Sequence, residues 1–271
     1  MKNNFKIIDS HCHIYPERIA HKAAKSISEF YDGMPILNDG SIGRLLSHGK
    51  VAGVDRFVVT SVAATPERVT AINRFIADAV SSSDGLLIGL GALHPDGTDI
   101  EGDIKLIKSL HLSGVKLHAD IQKIAIDDPR CFKIYEILAH EGLPVLMHTG
   151  DSRYNFSNPD NLLPVLKAFK NLTVIGAHYG GWSVWEEAAA KLSKFENLYV
   201  DTSSTLGFTS FEFVKNLLPK FDPSRILFGT DYPTWDAGAE LDALFSLNLP
   251  DNVLRGILHD NCARAYFRDN R

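Results

Sequence analysis

Eight short apolar runs, each followed by a longer amphipathic stretch, constrain this chain more than any other feature. The runs are FKIID (5–9), DRFVVTSV (55–62), LLIGLGALHP (86–95), GVKLHA (114–119), PVLMHTG (144–150), TVIGAHYG (173–180), LYVDTSS (198–204) and RILFGTDYP (225–233). Nearly continuous apolar runs of this length mark strands buried on both faces. The segments between them carry helix signals. TPERVTAINRFIADAV (65–80) opens with Thr65 at an N-cap position and Pro66 behind it, and DPRCFKIYEILAHEG (128–142) opens on Asp128-Pro129 and closes on Gly142. GWSVWEEAAAKLSKF (181–195) and PDNVLRGILHDNCARAYF (250–267) read as helices in the same way. Strands that alternate with helices pair in parallel, because parallel neighbours need a crossover. The expected fold is therefore an α/β (β/α)8 TIM barrel, one domain over residues 1–271, close to the usual size of about 250 residues. A doubly wound open sheet fits less well, since no glycine-rich dinucleotide loop follows the first strand. Segment 14–40 is too long for an ordinary βα loop. It is expected to be a lid-like insertion with one helix over roughly 17–30.

Composition removes several function classes. The chain is 45% hydrophobic and 23% charged with a net charge of −5, and no block of like charges suggests a nucleic-acid or membrane surface. Three scattered cysteines (Cys12, Cys131, Cys262) make no disulfide framework. No signal-type apolar segment opens the sequence and no run reaches membrane-spanning length. A cytoplasmic protein acting on a small molecule is expected, with homo-oligomer formation compatible with all of this.

The polar residues fall where a barrel would use them. Of eleven histidines, His11, His13, His94, His118, His148 and His178 end predicted strands, and Asp201 and Asp231 take comparable places in runs seven and eight. In a parallel barrel that end gathers the reacting groups. Alternation puts Asp9, His11 and His13 on one face of the first strand and Ser10 and Cys12 on the other. Both imidazoles would then enter the barrel mouth, and Cys12 would be a buried hydrophobe. Imidazoles with a carboxylate suit a borderline divalent ion, zinc above all. Two histidines at i, i+2 cannot complete such a site, so His148 and Asp231 are the expected further donors. Arg153 and Tyr154 follow run five, Trp182 and Trp185 follow run six, and Tyr232 and Trp235 close run eight. A guanidinium among aromatics suits a ring-bearing carboxylate, although loop packing would use the same residues. His94 precedes a proline and reads as a turn former. Gly176, Gly180 and Gly181 around His178 read as room for a substrate.

Taken in order, DSHCH, GVKLHAD, IDDPR with GLPVLMHTGD, IGAHYGG and LFGTDYP resemble the amidohydrolase superfamily. Within it they are most similar to the amidohydrolase-related (amidohydrolase 2) branch, which includes aminocarboxymuconate-semialdehyde decarboxylase and many TIM-barrel hydrolases. The resemblance covers nearly the whole chain and says nothing of substrate. It implies metal ligation by His11, His13, His148 and Asp231, with His178 beside the metal. Many relatives bridge two metals through a carboxylated lysine, and Lys116 stands near that place. One divalent ion is the usual state in the branch, so a single ion is expected: zinc first, with manganese or iron as alternatives.

Such parts predict a metal-dependent hydrolase acting on an amide, lactone or ester of a small, carboxylate-bearing molecule. Asp231 would take the proton of a metal-activated water, and His178 would stabilise charge on the substrate oxygen. Substrate-binding candidates are Arg153, Lys116, His118, Tyr154 and Trp182. The alternative is decarboxylation of an aromatic or unsaturated carboxylic acid by the same groups.

Overall fold

The structure is a computed structural model and describes residues 5–267. The eight apolar runs supply nine strand segments among these residues: β1 (Ile8–His13), β2 (Arg56–Thr60), β3 (Leu87–Gly89), β4 (Gly91–Ala92), β5 (Val115–Leu117), β6 (Val145–Met147), β7 (Val174–Gly176), β8 (Leu198–Asp201) and β9 (Ile226–Leu227). Every neighbouring pair is parallel, in the orders β1-β2-β3 and β4-β5-β6-β7-β8-β9. The third run is a single stave that changes partners midway. Leu90 N donates to Val59 O on one side at 2.9 Å, and Gly91 N donates to Gly114 O on the other at 2.9 Å. Buried Asn73 braces the change, accepting from Ala92 N at 2.7 Å and donating to Ala92 O at 3.2 Å. The last stave returns to the first through Ser10 N to Phe228 O (2.8 Å), Asp231 N to His11 O (2.9 Å) and His13 N to Tyr232 O (2.6 Å). The result is a closed eight-stave barrel.

Apolar side chains fill it in two layers. Ile8, Val58, Ile88, Leu90, Leu146, Ile175 and Leu227 fill the interior and pack with Cys262, Ala265 and Tyr266 from the last helix. A larger cluster joins the outer faces of the strands to the surrounding helices, and Cys12 belongs to it. Helix signals mostly act as read. Asp128 accepts from Arg130 N to start helix Pro129–Glu141, and Gly142 ends it at φ 67°. Thr65 differs: its side chain caps nothing, and a 3-10 turn Pro66–Arg68 precedes helix Val69–Ser81. The insertion does contain one long helix, Glu17–Phe30. Its following residue, Tyr31, reaches the strand ends.

One glycine contact sets the spacing of the rim after β6 and β7. Gly150 sits at φ 79°, and a Cβ there would lie 2.4 Å from the carbonyl carbon of Gly181. Trp182 N donates to Thr149 O at 2.7 Å across the same contact. Gly181 in turn presses on the next helix, where an added Cβ would meet Ala188 Cβ at 2.6 Å. Gly176 faces the backbone of Gly180. Gly176 and Gly181 therefore serve close packing, Gly180 holds a left-handed backbone (φ 74°) beside Val200, and none of the three lines the cavity, which corrects the sequence reading. Gly150→Ala combines a left-handed backbone with a backbone clash and should cost about 2–5 kcal/mol. Gly53→Ala shares the left-handed φ (82°) with nothing within 4 Å of the new methyl, and should cost only about 1–2 kcal/mol. Urea unfolding of the two variants checks this, and equal losses would contradict the account.

Candidate metal centre

The first strand positions two imidazoles by way of a bulge. Between Asp9 and Cys12 the register against β2 slips, so that Asp9 faces Phe57 and Cys12 faces Val59. Three steps on one strand match two on the other, which reverses the alternation across the bulge. Asp9 consequently leaves the face of His11 and His13. It accepts from Thr230 N at 3.0 Å and Thr230 Oγ1 at 2.6 Å, and hydrogen-bonds the Cys12 thiol. The expected common face fails at Asp9 because simple parity contains no bulge. It holds for His11 and His13, whose Nε2 atoms stand 3.1 Å apart.

Asp231 completes a triangle with them. Its Oδ1 lies 3.5 Å from His11 Nε2 and 3.3 Å from His13 Nε2, while Oδ2 accepts from Ser204 Oγ at 2.8 Å. Lys116 Nζ approaches His11 Nε2 at 3.0 Å. Buried Asp201 orients the group from behind, accepting from His11 Nδ1 at 3.0 Å, His178 N at 2.9 Å and Ser203 N at 3.1 Å. With its Nδ1–H so engaged, His11 presents an Nε2 lone pair to the cavity. His178 donates Nδ1–H to Ser203 O at 3.0 Å and turns Nε2 towards His148 Nδ1 at 3.2 Å. His148 donates from Nε2 to Gly150 O at 3.1 Å, which leaves its Nδ1 lone pair facing inward. His118 stacks on His148 with ring centroids 4.2 Å apart and planes at 4°.

The donor set fits a divalent cation. The ligand atoms of His11, His13 and Asp231 lie within 4.8 Å of one another, whereas His148 stands outside that set and borders it through His178. Converging lone pairs on neutral nitrogens, with one carboxylate oxygen, are the arrangement zinc and manganese accept. Electrostatics keep the donors ready. Burial, reinforced by Lys116, lowers His11 to about 4, and burial also lowers His13. Burial with neighbouring His118 and His178 puts His148 well below the ordinary range. Burial opposes ionisation of Asp231, but His11, His13 and His178 outweigh it and hold the carboxylate well below its usual pKa. Burial lowers Lys116 to about 8 against the pull of Asp231 and Asp201. Two of these groups carry backbone strain as well: His178 and Asp231 have φ of 59° and 57°, a region ordinary side chains seldom occupy.

A cavity lies above this group, between the strand ends and the lid. Seven of the residues singled out from the sequence meet there: His11, His13, Lys116, His118, His148, His178 and Asp231. Arg153, Tyr154 and Trp182 stand outside the cavity lining. Arg153 pairs through Nε and Nη2 with the Asp151 carboxylate (3.0 and 2.7 Å) and through Nη1 with Asp32 and Phe30 O (2.9 and 2.8 Å). Its guanidinium also stacks among Phe30, Tyr31, Tyr154 and Trp182. The cluster fastens the lid to the rim, so Arg153 has one N–H uncommitted. His94 accepts from Asp96 N at 3.1 Å and shapes the turn expected of it. Sequence reasoning missed Tyr31, whose hydroxyl lies 3.2 Å from His118 Nε2 and 3.4 Å from His148 Nδ1. Nothing local marks a tyrosine at the end of a lid helix. Ser203 was missed too, though its i, i+2 relation to Asp201 placed it on the same face.

Among curated proteins none matches this sequence. Solved structures share its fold at low identity. An uncharacterized TIM-barrel protein of Bordetella bronchiseptica superposes with a TM-score of 0.77 at 20% identity, over 96% of this chain and 98% of its own. The 5-carboxyvanillate decarboxylase of Sphingomonas paucimobilis gives 0.75 at 15% identity, over 98% and 100%. A dihydroxybenzoic acid decarboxylase of Polaromonas sp. JS666, with bound manganese and the inhibitor 2-nitroresorcinol, gives 0.73 at 15% identity, over 97% of each chain. The amidohydrolase family profile (Amidohydro_2) matches residues 8–268, and with nearly its whole length inside that match the chain belongs to the amidohydrolase family.

Proposed function

We propose that this protein is a metal-dependent decarboxylase of a small aromatic carboxylic acid. The observation that carries the reading is the convergence of His11, His13, His148, Asp231, His178 and Lys116 at the mouth of a barrel whose neighbours of named activity remove carboxyl groups from substituted benzoates. Hydrolysis, the first expectation from the sequence, uses the same groups, but its support among the neighbours is a putative amidohydrolase of Staphylococcus aureus named for no substrate. His11, His13, His148 and Asp231 would hold one divalent ion, with manganese the first to test because it is the ion bound in the Polaromonas enzyme. Such an ion supplies Lewis acidity towards a substrate oxygen.

The chain's own residues account for the remaining needs of the reaction. The bond between ring and carboxyl carbon breaks, its electron pair stays on the ring carbon, and a proton must arrive there as CO₂ leaves. Asp231 is the acid–base group with an oxygen on the cavity, and Ser204 fixes its other oxygen; we assign it the carriage of that proton from solvent. His178, held by Ser203 and Asp201 with its Nδ1–H spent on Ser203 O, turns an Nε2 lone pair to the cavity, where it accepts a hydrogen bond from a substrate hydroxyl. Lys116 brings a cation into a buried site and favours an anionic ligand. The lid, fastened to the rim through Arg153, covers the cavity from the side of Ile27 and Tyr31.

Manganese-loaded protein incubated with hydroxylated benzoates should release CO₂ in a metal-dependent way, while lactones, esters and amides stay intact. Hydrolysis of the second group without CO₂ from the first would sink the reading. In the decarboxylation assay, Asp231→Asn should lower kcat by about 10²–10⁴, the range for loss of a general acid–base group. Full turnover in that variant would remove Asp231 from proton transfer. His178→Asn should keep its metal while kcat falls by about 10²–10³. Metal loss in step with activity would place His178 among the ligands instead.

A further inference from the structure

The lid helix Glu17–Phe30 carries more apolar surface than its contact with the barrel uses. Ala20 and Ala24 are buried. Ile19, Ala23, Ile27 and Phe30 form a neighbouring stripe along one wall of a groove of about 660 Å³. Val62 and, from helix Val69–Ser81, Ile72 and Phe75 form the opposite wall. Ile19 is 39% exposed there. Contiguous exposed apolar surface of this kind marks a binding site more often than chance. The groove also adjoins the metal centre: Tyr15, Ile27, Val62 and Ile121 line both it and the cavity holding His11, His13 and Asp231. Its charged lining residues are Arg18 and Arg68, with no carboxylate among the lining.

We infer that the groove binds an apolar extension of the substrate, so that this protein acts on aromatic acids bearing an alkyl or aryl chain of several carbons. The inference rests on the decarboxylase reading of the adjoining cavity and adds the substrate class to it. Size separates the two compartments: the polar cavity takes the ring and its carboxylate, and the larger space beside it offers little hydrogen bonding and much hydrocarbon. A wall shared with the reacting groups favours a small molecule that reaches from one to the other over a helix from another chain. A chain lying in the groove leaves water methylene by methylene, and each buried methylene should tighten binding about threefold to fourfold.

The test is calorimetric titration of manganese-loaded protein with benzoate and its 3- and 4-alkyl derivatives up to hexyl, for the native chain and for Ala71→Trp. Ala71 is exposed on the groove wall and does not line the cavity. In the native chain affinity should climb by at least about threefold per methylene over several carbons. In Ala71→Trp the climb should flatten while benzoate itself binds as before. A native series with no climb, beside measurable benzoate binding, overturns the inference and leaves the decarboxylase reading standing. A climb that survives unchanged in Ala71→Trp also overturns it, since the chain then lies elsewhere. Failure of every acid to bind overturns the decarboxylase reading and the inference with it. Light scattering on the same samples covers the remaining occupant: a native dimer that Ala71→Trp converts to monomer assigns the groove to a second copy and overturns the inference.

Discussion

The Asp201 carboxylate is the contact on which the site depends. It is buried on the last residue of β8 and is engaged by His11 Nδ1, by the backbone N of His178, and by both the backbone N and hydroxyl of Ser203. Three staves of the barrel thus meet on one side chain. Burial alone would raise its pKa, yet His11 and the hydrogen bonds around it outweigh that and hold it down to about 2. The ionised carboxylate selects the His11 tautomer, and the selected tautomer aims a lone pair at His13 and Asp231. A buried carboxylate without these donors would be costly, and these donors without the carboxylate would lose their common orientation.

That arrangement also explains how one small volume holds so many basic groups. Among the described residues, His11, His13, His118, His148 and Lys116 all have pKa values lowered by burial. A cluster of imidazolium ions would repel itself; a cluster of neutral imidazoles is a set of donors waiting for a cation. Ser203 and Gly150 backbone carbonyls each take one N–H, from His178 and His148, so the rings are fixed by groups that do not titrate. The lid adds its own constraint. Tyr31 bridges His118 and His148, and Arg153 ties the chain at Phe30 and Asp32 to Asp151. A ligand entering the cavity must compete with that phenol.

Much of this was legible in the sequence, for definite reasons. Strand positions followed from apolar runs, and the lid helix Glu17–Phe30 from a loop too long for its place. His11, His13, His148, His178 and Asp231 line one cavity, as expected of strand ends that point at one mouth of a parallel barrel. What failed was anything depending on an irregularity or a distant partner. The bulge in β1 moved Asp9 to the opposite face, and no periodic rule contains a bulge. Arg153 read as a substrate clamp until its partners Asp151 and Asp32 were in place. The glycines near His178 read as open space because the packing of Gly181 between Gly150, on another stave, and Ala188, on the helix that follows, is a matter of tertiary structure. Thr65 has the residue type and the extended backbone of a cap, yet its side chain bonds no helix N–H. The groove between the lid helix and helix Val69–Ser81, finally, is built from two elements far apart in sequence.

Anomalous diffraction at the manganese edge from crystals of the metal-loaded protein tests the central claim most directly. The account predicts one peak per chain, coordinated by Nε2 of His11 and His13, Nδ1 of His148 and a carboxylate oxygen of Asp231, with Lys116 unmodified. A peak among Asp120, His148 and Asp151, or two peaks bridged by a carboxylated Lys116, would contradict it.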